Sequence, residues 1–269
     1  MATSISLLTI TRISVPGATQ ISANAINDRA QVAGQFSDGT GRAHGFVYQE
    51  GALCQIDYPS ADATSINILG INNLGQFVGM VTTLTATSAF LYDRGTFSAL
   101  LQFPGATFSI ANAINNRGEI VGVLQAAAGN GAFLHKAERY LRLQYPGASE
   151  TTATGINESG QIVGNFVDAK GTHGFVYLEN VGVYSPPLVN PPATTVALRA
   201  VNDEGQIVGG FMDKSGNEHP FIYIAAELHP VLIPGATSAS INGINNRGQI
   251  VGNLNGPAGP QSFIATLAT

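Results

Sequence analysis

The stretch Gly-Ile-Asn-Glu-Ser-Gly-Gln-Ile-Val-Gly, residues 155–164, decides the fold because versions of it recur along the whole chain. Its asparagine returns at intervals of 42 to 45 residues, and a phenylalanine follows each Val-Gly-type glycine 11 or 12 positions later. This order and spacing mark an internal repeat of about 44 residues, present in six copies. The repeated pairs are Asn27 and Phe46, Asn72 and Phe90, Asn115 and Phe133, Asn157 and Phe175, Asn202 and Phe221, and Asn245 and Phe263.

Each repeat predicts four short antiparallel strands. The first ends at Ile-Asn or Val-Asn, and the Asn-x-x-Gly turn that usually follows suits a hairpin, since glycine accepts a positive φ. The second strand carries Gln-Ile-Val-Gly, the third carries His-Gly-Phe-Val-Tyr, and the fourth precedes a Pro-Gly-Ala turn such as that at Pro146. Four strands in about 40–45 residues is the period of a β-propeller blade.

The phase of the repeat at the two ends of the sequence predicts how the units close. Residues 6–18 match a fourth strand and its turn, whereas residues 261–267 match a third strand. A ring in which the N-terminal strand completes the last blade accounts for both matches and hides two sheet edges. We therefore predict an all-β fold, a six-bladed β-propeller in one domain over residues 1–269, with four antiparallel strands per blade. A β-solenoid or a pair of sandwiches is the alternative.

The composition limits the partners and the compartment. The formal net charge is −5 and no run of Lys or Arg occurs, so we expect neither nucleic acid nor a membrane surface as partner. The segment from Met1 to Arg12 lacks the basic start of a signal peptide, which predicts a cytoplasmic protein, or an extracellular or periplasmic one if an export signal was removed. Cys54 is the single cysteine and is predicted to be a buried, unreactive thiol.

The units Gly-Ile-Asn-Glu-Ser-Gly-Gln-Ile-Val-Gly at 155–164 and His-Gly-Phe-Val-Tyr at 173–177 resemble the bacterial HAF repeat. That repeat is described for exported proteins as a probable extracellular repeat, and the resemblance covers essentially the whole chain. It implies a repeated β architecture. It implies no chemistry, because the family has no single assigned activity.

Residues that occupy the same position in several units are expected to be scaffold. His44, His173 and His219 share the position before the third-strand phenylalanine, so they would lie in different blades and could not meet at one metal ion. The six repeated asparagines are likewise expected to form turns. We therefore predict no metal site and no cofactor.

Functional residues are sought where the units differ. At the position three residues before the repeated asparagine, Arg199 is the one cation among the six units. Its charge needs a carboxylate or a bound anion as partner. Seven positions before the asparagine, Phe108 and Glu150 depart from the small polar residues, and Glu150 is the predicted partner of Arg199. Asp62 lies in an enlarged loop. Tyr184 lies in the insertion 179–192, for which two placements are open: over the channel as a lid, or on the opposite rim. The predicted ligand-binding residues are Phe108, Leu69, Asn24, Asn112, Asn242 and Tyr184.

Three functions fit these features. The first is a monomeric module that binds one small molecule, glycan or peptide at the mouth of the central channel. The alternative is a cofactor-independent lyase, isomerase or cyclase, in which Arg199 holds a substrate anion while Glu150 or Asp62 moves a proton. The second alternative is a structural surface repeat without a ligand.

Overall fold

The computed structural model describes residues 5–98, 105–127, 129–185, 195–225, 227–257 and 259–268. All regular elements in these ranges are β-strands. They form one strand followed by six consecutive units, which we number one to six in chain order. The first strand is β1 (Leu7–Ile13). Unit one contains β2 (Gln20–Ile26), β3 (Val32–Ser37), β4 (Ala43–Gln49) and β5 (Ala52–Ile56). Unit two contains β6 (Ala63–Ile71), β7 (Phe77–Thr83), β8 (Thr87–Asp93) and β9 (Thr96–Ser98).

The remaining four units follow the same order. Unit three contains β10 (Ala106–Ile114), β11 (Ile120–Ala126), β12 (Gly129–Lys136) and β13 (Arg139–Leu143). Unit four contains β14 (Glu150–Ile156), β15 (Gln161–Asp168), β16 (Gly171–Leu178) and β17 (Val183–Tyr184). Unit five contains β18 (Thr195–Val201), β19 (Ile207–Met212), β20 (Glu218–Ile224) and β21 (Glu227–Pro230). Unit six contains β22 (Ser238–Ile244), β23 (Gln249–Gly256) and β24 (Gly259–Leu267).

Consecutive strands pair antiparallel within each unit. Units three, four and five are separate four-stranded sheets, and β22, β23 and β24 form a fourth such sheet with β1 at its edge. The register of β1 against β24 runs from Leu7 opposite Leu267 to Ile13 opposite Ser262, so the first strand completes the last unit as the phase of the repeat predicts. Units one and two share one sheet only through a single parallel pair, Ala43 and Ser65.

The hydrophobic core lies between successive units. Six clusters of buried residues occur, and each combines residues of two neighbouring units. One of them joins Val251 of unit six and Ile13 of β1 to Ala23 and Phe46 of unit one, so the last unit packs on the first. The six repeated phenylalanines are no more than 1% exposed. Each unit is therefore in apolar contact with the next, and unit six with unit one.

The glycine of each Val-Gly pair is required by close packing of backbone. A Cβ at Gly34 would overlap the carbonyl oxygen of Ser22 on the neighbouring first strand. The equivalent glycines of the other five units face a first-strand carbonyl in the same way. This contact explains why the sequence keeps glycine at a position inside a strand.

A β-bulge interrupts the first strand of every unit. The register against the second strand skips one residue, three positions before the repeated asparagine. A bulge leaves the skipped residue without a cross-strand partner and redirects its side chain. The skipped residues are Asn24, Leu69, Asn112, Thr154, Arg199 and Asn242.

The six repeated asparagines form a closed cycle of hydrogen bonds. Each side-chain amide donates to the backbone carbonyl of the next asparagine at 3.0 to 3.2 Å, and Asn245 donates to Asn27. Each Oδ1 also accepts from backbone N–H groups of its own turn, as Asn27 does from Arg29 and Gln31. All six asparagines are buried. They are scaffold residues that form turns and also connect the units.

No helix among the described residues has both the length and the hydropathy that crossing a bilayer requires.

Candidate functional site

Two cavities lie along the inner strands. We call the side of the molecule with the asparagine turns the lower face. The upper face carries the connections from second to third strands and from fourth to first strands. The central channel, with a volume of about 120 Å³, is lined in every unit from the bulge residue to the residue after the asparagine. The upper cavity, about 380 Å³, is lined mainly by strand ends of units one and six at the upper face.

The six bulge residues all line the central channel. Most of them donate to a backbone carbonyl of the next unit. Asn112 Nδ2 donates to Ala153 O at 2.7 Å, and Asn242 Nδ2 donates to Ala23 O at 2.8 Å. Asn24 and Thr154 make the equivalent bonds to Ile68 O and Leu198 O. Leu69 cannot donate, so the cycle is interrupted there.

These bonds change the expected role of the channel asparagines. Their amide groups already connect neighbouring units, and Asn24 Oδ1 also accepts from Ser22 Oγ at 2.7 Å. The channel volume of about 120 Å³ lies below the range of about 300–1,000 Å³ that is usual for small-molecule pockets. The channel therefore has room for water rather than for a drug-sized ligand.

Arg199 is the bulge residue of unit five, and its side chain reaches out of the channel layer. Its Nη1 donates to Ile241 O at 3.4 Å, and its Nη2 lies 2.5 Å from Glu218 Oε1. Glu218 lines the upper cavity, so the ion pair stands between the two cavities. Glu218 Oε1 is enclosed and makes no aligned hydrogen bond within the described ranges, which leaves the ion contact as its compensation.

Gly210 makes the space for this ion pair. A Cβ at Gly210 would overlap Glu218 Oε1. The other units carry a larger side chain at the position of Gly210, namely Gln35, Met80, Val123, Asn165 and Asn253. The position of Glu218 is occupied in the other units by Ala43, Thr87, Asn130, Thr172 and Pro260. Unit five therefore departs from the repeat at three positions that together build one ion pair.

Glu150 is not the partner of Arg199, contrary to our expectation. Glu150 begins β14, is exposed, and lies opposite Val167 within unit four. The side chains of the bulge layer point forward to the following unit, so Arg199 of unit five reaches towards unit six and away from unit four. Glu218, in the third strand of unit five itself, takes the place predicted for Glu150.

Asp62, Phe108 and Tyr184 are also not brought to either cavity. Asp62 is exposed in the loop before β6, and Phe108 lies half-buried near the start of β10. Tyr184 lies on the outermost strand of unit four and packs against Tyr145, Phe175 and Tyr177, so it is far from an inner-strand site. Burial raises the pKa of Tyr184 to about 12. Of the insertion 179–192, residues 186–192 lie outside the described ranges.

The repeated histidines have structural partners. His173 and His219 each contact the aspartate of the preceding loop, Asp168 or Asp213, at 2.9 Å. His44 is buried, with Nδ1 at 2.6 Å from Asp57 and Nε2 at 3.2 Å from Asp38. Among the described residues, no three His, Cys, Asp or Glu side chains are grouped closely enough to hold a metal ion.

Cys54 lies on β5 and is exposed, so the predicted burial of its thiol is wrong. An outermost strand has one face in solvent, and alternation turns this side chain outward.

Sequence reasoning missed a second closed cycle at the lower end of the channel. The residue after each repeated asparagine accepts a hydrogen bond from the backbone N–H of the equivalent residue one unit back. Asn246 N, for example, donates to Asp28 Oδ1 at 2.8 Å. A carboxylate or a side-chain amide occurs at this position in every unit, and this shared oxygen acceptor was the available signal. The six residues are Asp28, Asn73, Asn116, Glu158, Asp203 and Asn246.

The upper cavity is rich in neutral polar side chains. Amides and hydroxyls form most of its wall, and Glu218 is the only charged residue among the described residues that line it. Its volume falls within the usual range for small-molecule pockets. The lining residues are Gln20, Ile21, Ser22, Gln35, Phe36 and Ser37 of unit one, Glu218 of unit five, and Ser238, Ala239, Ser240, Asn253, Leu254, Asn255, Pro260 and Gln261 of unit six.

Comparison with known proteins identifies the fold. No protein-family model and no curated protein matches the chain. It is similar to TolB from Acinetobacter baumannii, with a TM-score of 0.64 and 10% identity over 88% of this chain and 63% of TolB. The chain thus spans less than two thirds of TolB.

Two further solved structures align with this chain over nearly the whole length of both proteins. A gluconolactonase from Xanthomonas campestris has a TM-score of 0.61 and 12% identity, over 97% of this chain and 91% of that one. The β-propeller domain of the trilobed protease from Pyrococcus furiosus has a TM-score of 0.56 and 10% identity, over 94% of each chain. At these identities the likeness concerns architecture alone. The chain has the β-propeller fold.

Proposed function

We propose that this protein is a closed, six-bladed β-propeller that binds one small-molecule ligand in the upper cavity. The Arg199–Glu218 ion pair is the polar anchor at the base of that cavity. The protein acts as a monomeric binding module built from HAF-type repeats. The bulge residues Asn24, Leu69, Asn112 and Asn242 support the site from below as scaffold.

Six blades in a closed ring are supported by three independent features. Six core clusters each join two neighbouring units, β1 pairs with β24, and the asparagine cycle returns from Asn245 to Asn27. A ring of equivalent units places one binding site off its axis only if one unit departs from the others. Unit five departs in this way.

The observation that carries the function is the joint departure of Arg199, Gly210 and Glu218 from the repeat. A partly buried ion pair contributes little to the stability of a fold, because desolvation of both charges offsets their attraction. Packing alone does not call for three coordinated exceptions in one unit. A ligand that uses the charged group at the cavity wall does call for them.

The test is a cavity-filling substitution. Ser240 lines the upper cavity, and its counterpart in unit four, Thr152, does not. We expect a panel of neutral sugars, sugar acids, amino sugars and amino acids, measured by saturation-transfer NMR, to contain compounds that bind the wild type at one site. Ser240→Trp should abolish that binding, and Thr152→Trp should retain it. Thermal unfolding of both variants checks that they remain folded.

Compounds that bind equally well to Ser240→Trp would contradict a site in the upper cavity. So would a panel without any binder. Turnover of a bound compound by the wild type, lost in Glu218→Gln, would establish the enzyme alternative at the same site.

A further inference from the structure

We infer that the ligand of the upper cavity is electrically neutral and rich in hydroxyl groups, a saccharide or a similar polyol, and that Glu218 excludes anionic analogues. This inference rests on the function proposed above. It adds the chemical class of the ligand and the residue that sets the specificity.

One wall of the cavity is already fixed by hydrogen bonds. Asn253 Oδ1 accepts from Ala23 N at 3.0 Å and from Ser262 Oγ at 2.8 Å. Asn253 Nδ2 donates to Ser22 Oγ at 2.9 Å, and Ser22 Oγ donates in turn to Asn24 Oδ1. These bonds engage both ends of the Asn253 amide and the Ser22 hydroxyl, so they hold the shape of this wall of the cavity.

Other polar groups of the wall are open. The side chains of Gln20, Gln35 and Ser240 line the cavity and have no hydrogen-bond partner in the part of the chain that the structure describes. Each glutamine amide has N–H donors and an acceptor oxygen, and the serine hydroxyl can donate as well as accept. A ligand hydroxyl also donates and accepts at once. Several hydroxyls on one compact ligand therefore match this wall better than a group that only donates or only accepts.

The charge of the site favours a neutral ligand. Arg199 already has Glu218 within 2.5 Å, so its positive charge is compensated before any ligand arrives. An anion would meet the Glu218 carboxylate as a like charge in a partly buried place. A cation would have to compete with Arg199 for that carboxylate. A hydroxyl can donate to the remaining carboxylate oxygen without disturbing the pair, and such charge-assisted bonds are strong.

The ion pair predicts a change of specificity on one substitution. Glu218→Gln keeps the shape of the side chain, removes the negative charge and leaves the Arg199 guanidinium uncompensated at the base of the cavity. Removal of a repulsive element is a recognised route to altered specificity. Glu150→Gln is the matched control, because Glu150 is exposed and lines neither cavity.

The experiment compares D-glucose and D-galactose, their methyl glycosides, lactose and maltotriose with D-glucuronate, D-galacturonate and D-glucosamine by saturation-transfer NMR. We expect the wild type to bind neutral compounds in preference to the charged analogues by about tenfold or more. Glu218→Gln should lose affinity for the neutral compounds and gain affinity for the uronates, while Glu150→Gln should behave as the wild type. Binding of the methyl glycosides and lactose, but not of free monosaccharides, would assign the cavity to the end of a glycan chain.

The two proposals fail in different ways. A uronate, an amino sugar or an amino acid that binds the wild type at least as well as the neutral sugars, and is lost in Ser240→Trp, would overturn the neutral class but keep the binding site. If neutral sugars bind in the cavity but Glu218→Gln gains no affinity for uronates, the role of Glu218 in excluding anions is overturned and the binding site is kept. Absence of any binding that depends on Ser240 would overturn the site itself.

Discussion

Glycine closes five of the six asparagine turns, and Ala30 closes the sixth. The backbone φ at Ala30 is +58°, in the left-handed region, where the equivalent Gly75 has a φ of +81°. An L-residue with a side chain is disfavoured there by about 1–2 kcal/mol. The turn of unit one forms nonetheless, because Asn27 accepts two backbone hydrogen bonds and the next unit holds its amide.

Exchange of the two residues tests this strain. We expect Gly75→Ala to lower the free energy of unfolding by about 1 kcal/mol, whereas Ala30→Gly should leave it unchanged or raise it by up to about 1 kcal/mol. Urea unfolding followed by circular dichroism measures both. Equal destabilisation by the two substitutions would show that the left-handed φ is not what selects glycine in these turns.

Glu119 replaces a glutamine that the other five units carry as Gln31, Gln76, Gln161, Gln206 and Gln249. Glu119 is buried and accepts from Asn115 and Arg117, with Lys136 Nζ at 2.9 Å. Burial acts to raise the pKa of this carboxyl, but the bonds from Lys136, Asn115 and Arg117 outweigh it, and the pKa lies below the usual 4.5. The carboxylate therefore stabilises the fold above pH 4.5, and this contribution is lost as the pH falls through the folded pKa.

Glu119→Gln should lower the free energy of unfolding at pH 7 by about 1–2 kcal/mol, because Arg117 and Lys136 lose their buried partner. The difference from the wild type should shrink as the pH is lowered below 4.5. Urea unfolding between pH 7 and pH 3 measures it. The control is Glu179→Gln, since Glu179 contacts Lys136 but neither Asn115 nor Arg117. A constant difference at all pH values would contradict the assignment.

The strands were more predictable than the functional site because the sequence pattern of each strand recurs in six units. The turns, the order of strands and the pairing of β1 follow from the sequence pattern. The bulges do not follow from the pattern, because the inserted residue is not of one type in all six units and so gives no common sequence signal. A bulge residue is Asn in three units, and Leu69, Thr154 or Arg199 in the others. The bulge becomes visible only in the register between the first and second strands.

The same limit explains the errors in the predicted site. Arg199 was recognisable because it departs from its counterparts at one aligned position. Its partner Glu218 comes after a second-to-third-strand loop of varying length, which obscures the alignment, and the glycine at 210 was the unused signal. Glu150 and Phe108 also depart from the repeat, but they lie at exposed or half-buried strand starts, where a change of side chain has little consequence.

In the proposed six-bladed ring, closure depends on β1. Ile13 is 1% exposed and belongs to the core cluster between units six and one, whereas Leu8 on the same strand is 66% exposed. Ile13→Ala should lower the free energy of unfolding by about 2–5 kcal/mol, and Leu8→Ala should change it by less than about 0.5 kcal/mol. Thermal unfolding should remain one transition. A separate early transition in Ile13→Ala would show that the seam opens independently of the other units.

The pairing of β1 with β24 also orders events during synthesis. β1 leaves the ribosome before the six units that follow it, and its partner lies 249 residues later at the Ile13–Ser262 pair. Until then β1 has no native neighbour in its sheet, and an unpaired strand edge invites wrong pairing. Contacts of such long sequence separation form slowly, because closing the long loop between the two strands costs conformational entropy before the contacts can form. Four residues of β1 are exposed, and three of them are polar, namely Thr9, Thr11 and Arg12, which limits the apolar surface of the unpaired strand. The pairing of β1 with β24 therefore cannot form until all six units have been synthesised.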